Sequence, residues 1–444
     1  MGINWNEIKE MAAEFLSELI QIDTSNPTGN ELLAVNWLAE KAQYFGLHYK
    51  IQLTSTNRAN IIISNKPNIN TAKKPIILLS HLDVVPAIEA DWDVPPFSGK
   101  ILNDELWGRG TIDTKQLTVT HLMLLILLKW NDITLERDVL MVATADEECG
   151  STFGLLALLK EYEELFIDAT VFNEGGGFPI HIGQNEYYLC EMGQKGIARV
   201  KITSSMTRNE NPYLPNENSI RTMVKVINRL RKVNLNEPIP TATYTLLQTI
   251  GKDLNIEFDD KELNKFLEHI PLNLHKLVQS ISQTTFSITK WKGGRKNTDL
   301  KGMSEIYIDS RPLPNMSEEQ FFNILTELLK GLPVKYEIME FSPGYETDLK
   351  IADLVLFEQE VQKQVKNARV VPFLSIGASD SRHLRGLNSQ IYGYCPMLPD
   401  MSFDKVIKLV HGKNERIPLS SLLFGIQNMY GIVLEKGAKP CEPT

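Results

Sequence analysis

The stretch IILLSHLDVVP, residues 76–86, sets an apolar run against an ionisable pair. Residues 76–79 read as a strand of a buried sheet, and His81 and Asp83 sit where that strand ends. They are either local polar satisfaction or part of a site. Other segments repeat the arrangement. VLMVATA (139–145) runs into Asp146, Glu147 and Glu148, and ATVFN (169–173) runs into Glu174 and three glycines. WGRGTID (107–113) places Asp113 just ahead of a long apolar helical run.

Around these segments, residues 1–180 alternate helical and strand patterns. NWNEIKEMAAEFLSELIQI and ELLAVNWLAEKAQYFG have helical spacing, while ANIIIS, KPIILLS, RDVLMVATA and DATVFN are short strand-type runs. Such alternation predicts an α/β domain with a central mixed sheet and helices on both faces. From about residue 196 the order becomes β-α-β-β-α-β, which describes a ferredoxin-like α+β unit. Within it, residues 234–283 read as a polar, helix-rich insertion. After about 345 the α/β character returns. The expected organisation is one catalytic domain, 1–195 and 345–444, interrupted by a second domain at 196–344.

With 444 residues, 43% of them hydrophobic, the chain can bury a large core. A formal net charge of −9 and the lack of a basic tract argue against nucleic acid as a partner. The N-terminal MGINWNEIKEM has neither a basic nor an apolar leader region, and the longest apolar run, Leu122–Leu128, is too short for a bilayer. The four cysteines are scattered without a CxxC pair, so a reduced cytoplasmic protein with no membrane contact is expected.

In open α/β sheets, ligands bind at the carboxyl ends of strands. A lone histidine after a strand is commonly a cap, and an Asp-Glu-Glu run a solvated turn. Four such segments in one domain point instead to a metal site. Histidine supplies neutral nitrogen, carboxylates supply hard oxygen, and a carboxylate can bridge two cations. Glu147 and Glu148, being neighbours, point different ways, so one can ligate while the other serves as a base. Asp83 is placed to hold the second ring nitrogen of His81 and fix its tautomer. There is no G-x-S-x-G and no H-E-x-x-H.

SHLDVVP, WGRGTIDTK, ATADEECGSTFG, FNEGGG, IGASDSRHLRG and HGKNERI, in that order, resemble the signatures of the M20 metallopeptidases, a family that includes carboxypeptidases, dipeptidases, aminoacylases and deacylases. The resemblance runs from about residue 15 to 435. It implies two divalent metal ions, zinc first with cobalt and manganese as alternatives. His81 and Glu174 would hold one, Glu148 and His411 the other, and Asp113 would bridge them. Glu147 would be the general base and Asp83 the residue that orients His81. A cis peptide is implied at Asp113-Thr114. The substrate would be a small molecule with an amide or peptide bond beside a free carboxylate. A peptide or an N-acyl amino acid both qualify, and a non-catalytic member of the family is the remaining alternative. Arg382 would bind the carboxylate, with Arg311 the weaker candidate, and Asn297 resembles an asparagine of the family's lid. The second domain would be that lid, with a homodimer formed through it.

One departure stands out. The family's lid carries a histidine, yet residues 203–220, TSSMTRNENPYLPNENSI, contain none, and none occurs between His181 and His269. The expectation is that Asn209 or Asn211 supplies the missing hydrogen-bond donor, ahead of His269 or His275 from the insertion.

Overall fold

The strand-type runs of the N-terminal half lie side by side in a computed structural model that describes residues 2–205, 218–233, 235, 237–294 and 303–438. Their chain separates into two compact units. One comprises residues 1–192, 347–373 and 379–444; the other comprises 193–346 and 374–378.

In the first unit the sheet runs in the order His48–Leu53, Ala59–Ser64, Val139–Thr144, Ile76–His81, Thr170–Asn173, Gln390–Gly393, Asn185–Gln194. Ile76–His81 is parallel to both of its neighbours, with His81 opposite Thr144, and Gln390–Gly393 is parallel to Thr170–Asn173. Pairing toward the margins is antiparallel. The sheet is therefore mixed, as the sequence suggests, and its four parallel strands finish on one edge. Alternate residues face opposite ways. Ile76, Leu78 and Met141 join the main core, while Ile77, Leu79, Leu140 and Val142 are equally buried on the other face. Burial on both faces is why these strands lack polar alternation.

Helix Lys115–Trp130 is buried from Lys115 to Leu128 because it lies between the sheet and two further helices, Trp5–Ile20 and Leu419–Ala438. A helix apolar all round belongs inside. On the opposite face, the Asn60 amide donates to the carbonyls of Phe153 and Gly154, which seats the start of helix Leu155–Tyr162 against the sheet. Gly154 is required there, since a Cβ would lie 1.8 Å from the Ala145 carbonyl oxygen. Strands His48–Leu53, Asn185–Gln194 and Gln390–Gly393 were not expected from the sequence. A small sheet of Ile101–Leu102, Glu105–Trp107 and Arg416–Pro418 was not expected either.

The second unit holds an antiparallel sheet in the order Thr285–Gly294, Met303–Arg311, Ile197–Ser205, Lys335–Ser342. Helices Ser219–Lys232 and Glu318–Leu329 pack against it around Val200, Ile306, Met223 and Phe321. Ser317 starts the second of these with a reciprocal capping box to Gln320. The stretch read as a polar insertion forms helices Thr241–Leu254, Leu263–Leu267 and Leu272–Ser282, with Leu247, Ile250, Phe266 and Val278 buried and Phe258 between Tyr244 and Phe266. Its polar composition belongs to the outer helix faces, and it carries an apolar interior of its own. Lys195 is buried beneath it, donating to the carbonyls of Ser280 (2.7 Å) and Gln283 (2.7 Å).

Among the described residues no helix is long and apolar enough to cross a membrane, and Cys149, Cys190 and Cys395 are free thiols.

Candidate active site

The parallel strands deliver their end residues to one place. His81 ends its strand, Asn173 hands on to Glu174, and Thr144 leads into a short 3₁₀ turn, Glu147–Cys149. Asp113 arrives from the loop ahead of helix Lys115–Trp130, and the Asp113-Thr114 peptide is cis, as the resemblance implies. His411 comes from the loop after helix Phe403–Leu409 with a left-handed backbone, φ 57°.

These five side chains meet as two triads that share Asp113: His81, Asp113 and Glu174, and Asp113, Glu148 and His411. Within each triad the candidate ligand atoms lie within 4.8 Å of one another. His81 Nε2 is 3.0 Å from Asp113 Oδ1 and 3.7 Å from Glu174 Oε1. His411 Nε2 is 3.0 Å from Asp113 Oδ2 and 3.0 Å from Glu148 Oε1. Each oxygen of Asp113 thus faces one imidazole.

The tautomer of His81 follows from its other nitrogen. Nδ1 lies 2.9 Å from the Asp83 main-chain carbonyl, which can only accept, so Nδ1 carries a hydrogen. In the neutral ring Nε2 is then a lone pair aimed at two carboxylates. That arrangement is repulsive unless a proton or a cation lies between. Without a cation the rings must charge: burial opposes this for His81, but Glu174 and Asp113 outweigh it and raise its pKa well above the imidazole range. Hydrogen bonds to Asp113 and Glu148 raise His411 to about 10. Burial tends to raise Asp113, yet the two imidazoles hold its carboxyl well below the usual range. Burial pushes Glu174 up to about 7. Two nitrogens and three carboxylates converging in this way form a donor set suited to a pair of divalent cations.

Asp83 meets the second ring nitrogen of His81 through its main chain and has a further part besides. Its backbone oxygen holds the ring at 2.9 Å, and its carboxylate lies 3.6 Å from the same nitrogen. The carboxylate takes the backbone N–H of Glu147 (3.0 Å), that of Glu148 (3.1 Å) and the Asn26 amide (2.7 Å). It therefore fixes the turn carrying both glutamates. Asn26 and Asp146 are tied in turn to Arg58, whose guanidinium also meets the buried Glu31. Glu147 is buried beside the triads. Burial, with Glu174 and then Asp380 adding repulsion, lifts its pKa well above the carboxylate range.

Of the residues expected to bind substrate, Arg382 lies in the first unit on the 3₁₀ turn Asp380–Leu384, half-buried and with no ion pair among the described residues. Arg311 lies in the second unit and is engaged by Asp309 at 2.7 Å and 3.2 Å, which leaves its fork occupied. Asn209, Asn211 and Asn297 lie outside the described residues. His275 bonds the Ile270 carbonyl within its own insertion.

Sequence reasoning missed Asp380, Arg58 and Glu415. Asp380 accepts from Thr144 at 3.0 Å and from Ser151. Glu415 is buried under the Asp113 loop. The signal for two of them was adjacent: Asp380 is two residues before Arg382, and Glu415 is four after His411.

Residues 77–435 match the model of "Peptidase family M20/M25/M40". The chain is 24% identical over 429 residues to the Bos taurus "N-fatty-acyl-amino acid synthase/hydrolase PM20D1", covering 92% of this chain and 84% of that protein. It is 24% identical over 378 residues to "Probable carboxypeptidase S-like 2" of Dictyostelium discoideum, covering 81% and 71%. In fold it is similar to the M20 family metallo-carboxypeptidase Sso-CP2 from Sulfolobus solfataricus, with a TM-score of 0.68, 18% identity and coverage of 95% and 98%. A family pattern over residues 77–435, a span that contains every residue of both triads, makes this protein a hydrolase of peptidase family M20/M25/M40.

Proposed function

We propose that the chain is a dinuclear-metal hydrolase that cleaves the peptide or amide bond next to a free carboxylate, as a carboxypeptidase or dipeptidase does. The observation that supports this most is the pair of triads sharing Asp113, one carboxylate oxygen toward each imidazole. In this reading His81 and Glu174 hold one ion, Glu148 and His411 the other, and Asp113 both. Zinc suits the donors best, and cobalt or manganese can share them. When bound there, the ions supply Lewis acidity to the scissile carbonyl and acidity to water.

The protein's own part is proton transfer and placement. Glu147, buried beside the triads, takes a proton from the attacking water and gives it to the leaving nitrogen. Asp83 keeps Glu147 and Glu148 in place through their backbone N–H groups. Arg382 presents a planar fork to the substrate carboxylate.

The bovine relative's name favours a second reading, in which the acyl group is a fatty acid and the reaction is amide hydrolysis of an N-acyl amino acid. Both readings are tested with one panel. Protein loaded with zinc, cobalt or manganese is offered dipeptides, longer peptides, their C-amidated forms, and N-acetyl and long-chain N-acyl amino acids. Cleavage of free-acid peptides with at least ~10²-fold loss on amidation is the expected result, a loss of the size given by removing a charge-assisted pair. Cleavage confined to N-acyl amino acids moves the assignment to the second reading. No turnover with any of the three metals overturns both.

A further inference from the structure

The segment that carries Asp113 and the loop that carries His411 are docked to each other at every step. Arg416–Pro418 pairs antiparallel with Glu105–Trp107. Asn414 exchanges two hydrogen bonds with Asp93, at 2.9 Å and 2.8 Å. The centre of this docking is Glu415, which is fully buried. One of its oxygens accepts from Arg109 Nη1 (2.7 Å) and the Gly110 N–H (3.0 Å). The other accepts from the N–H groups of Ile112 (2.6 Å) and Asp113 itself (3.0 Å). Four donors fill the acceptor capacity of a carboxylate. Arg109, stacked over Trp92, sends its other nitrogen to the Gly412 carbonyl at 2.9 Å, beside His411.

One buried ion pair thus holds the backbone of the bridging aspartate and the backbone next to an imidazole of the same triad. His81 and Glu174 are placed by strand ends that the pair does not touch. We propose that Glu415, with Arg109, is a positioning residue for the Asp113–Glu148–His411 half of the metal centre, and that its loss weakens the second metal ion more than the first, because it holds the surroundings of two ligands of the second and of one, Asp113, of the first. The inference rests on Asp113 and His411 being metal ligands.

The substitution Glu415→Gln keeps the shape. It turns an NH₂ against two N–H donors, so half of the cradle is lost whichever way the amide faces. Apo protein is titrated with Co(II), following the visible absorption for coordination and thermal unfolding for fold. The parent is expected to take up two equivalents. In Glu415→Gln the first equivalent stays within about 3-fold, the second weakens by at least ~10-fold, and the spectrum of the second site changes. Because removing a buried charge can unfold a protein, Arg109→Lys is measured alongside. It keeps a cation for Glu415 but loses the fork that reaches Gly412, so a smaller loss, again larger for the second equivalent than for the first, is expected. Equal weakening of both equivalents, or none in either variant, overturns the positioning role while leaving the metal centre intact. A parent that binds fewer than two equivalents overturns the metal assignment itself.

Discussion

In the first unit Asp83, Glu147, Asp380 and Glu415 are carboxylates withdrawn from solvent around the two triads. In the second unit the buried cation Lys195 directs its donors to carbonyls at the end of helix Leu272–Ser282. Both units place ionisable groups where charge is costly. Among the described residues, only in the first do several of them converge on one place. Burial of a titratable side chain is therefore weak evidence of function by itself, and convergence is what separates a centre from a helix tie.

The largest effect expected from this contrast is at Glu147. Glu147→Gln keeps the volume and removes the base, so turnover should fall by at least ~10²-fold while metal content, measured by elemental analysis, stays at the parental value. Parental turnover would show that the first unit's convergence does not use this carboxylate as base.

A second comparison sets one arginine from each unit side by side. Arg382→Lys exchanges a planar fork for a point charge, and KM should rise by ~10-fold or more with kcat nearly unchanged, since hydrogen bonds to charged groups contribute about 1.5–3 kcal/mol. Arg311→Lys, already committed to Asp309, should move KM by less than about 2-fold. The reverse order would mean that the substrate carboxylate is read by the second unit.

The smallest effect concerns Lys195. Burial lowers its pKa to about 7, whereas an unfolded lysine titrates near ~10.4. Between those values the unfolded chain holds a proton that the folded chain has released. The penalty is full below about pH 7 and is relieved as pH rises, so stability of the second unit should increase toward pH ~10, by at most about 1.4 kcal/mol per pH unit. Lys195→Met should flatten that slope in denaturant unfolding followed by hydrogen exchange at residues 272–294, with Co(II) uptake by the first unit unchanged. A slope that survives the substitution assigns the proton to another group.

The sequence carried much of this because the ligands stand beside the strands that deliver them. His81, Glu148 and Glu174 each follow an apolar run, so a local pattern sufficed, and the β-α-β-β-α-β order of the second unit was legible in the same way. His411 lies on a loop with left-handed backbone and became visible only through resemblance to a family. Glu415, Arg58 and Asp380 work through partners far along the chain, such as the 306 positions between Arg109 and Glu415, and no window on the sequence joins them. His48–Leu53 escaped notice because it is an exposed edge strand without clean alternation. The interior of the insertion was hidden because amphipathic helices average to a polar composition.

The three-part make-up of the first unit also orders events in time. His81, Asp113, Glu148 and Glu174 all precede the second unit, and His411 follows it. On a ribosome adding about 5–20 residues per second, His411 emerges some tens of seconds after Glu174. During that interval the nascent chain owns one complete triad and a fragment of the other. In a chain of this layout the second triad therefore waits for the last part of the first unit, and any premature stop before residue 411 leaves a product without it.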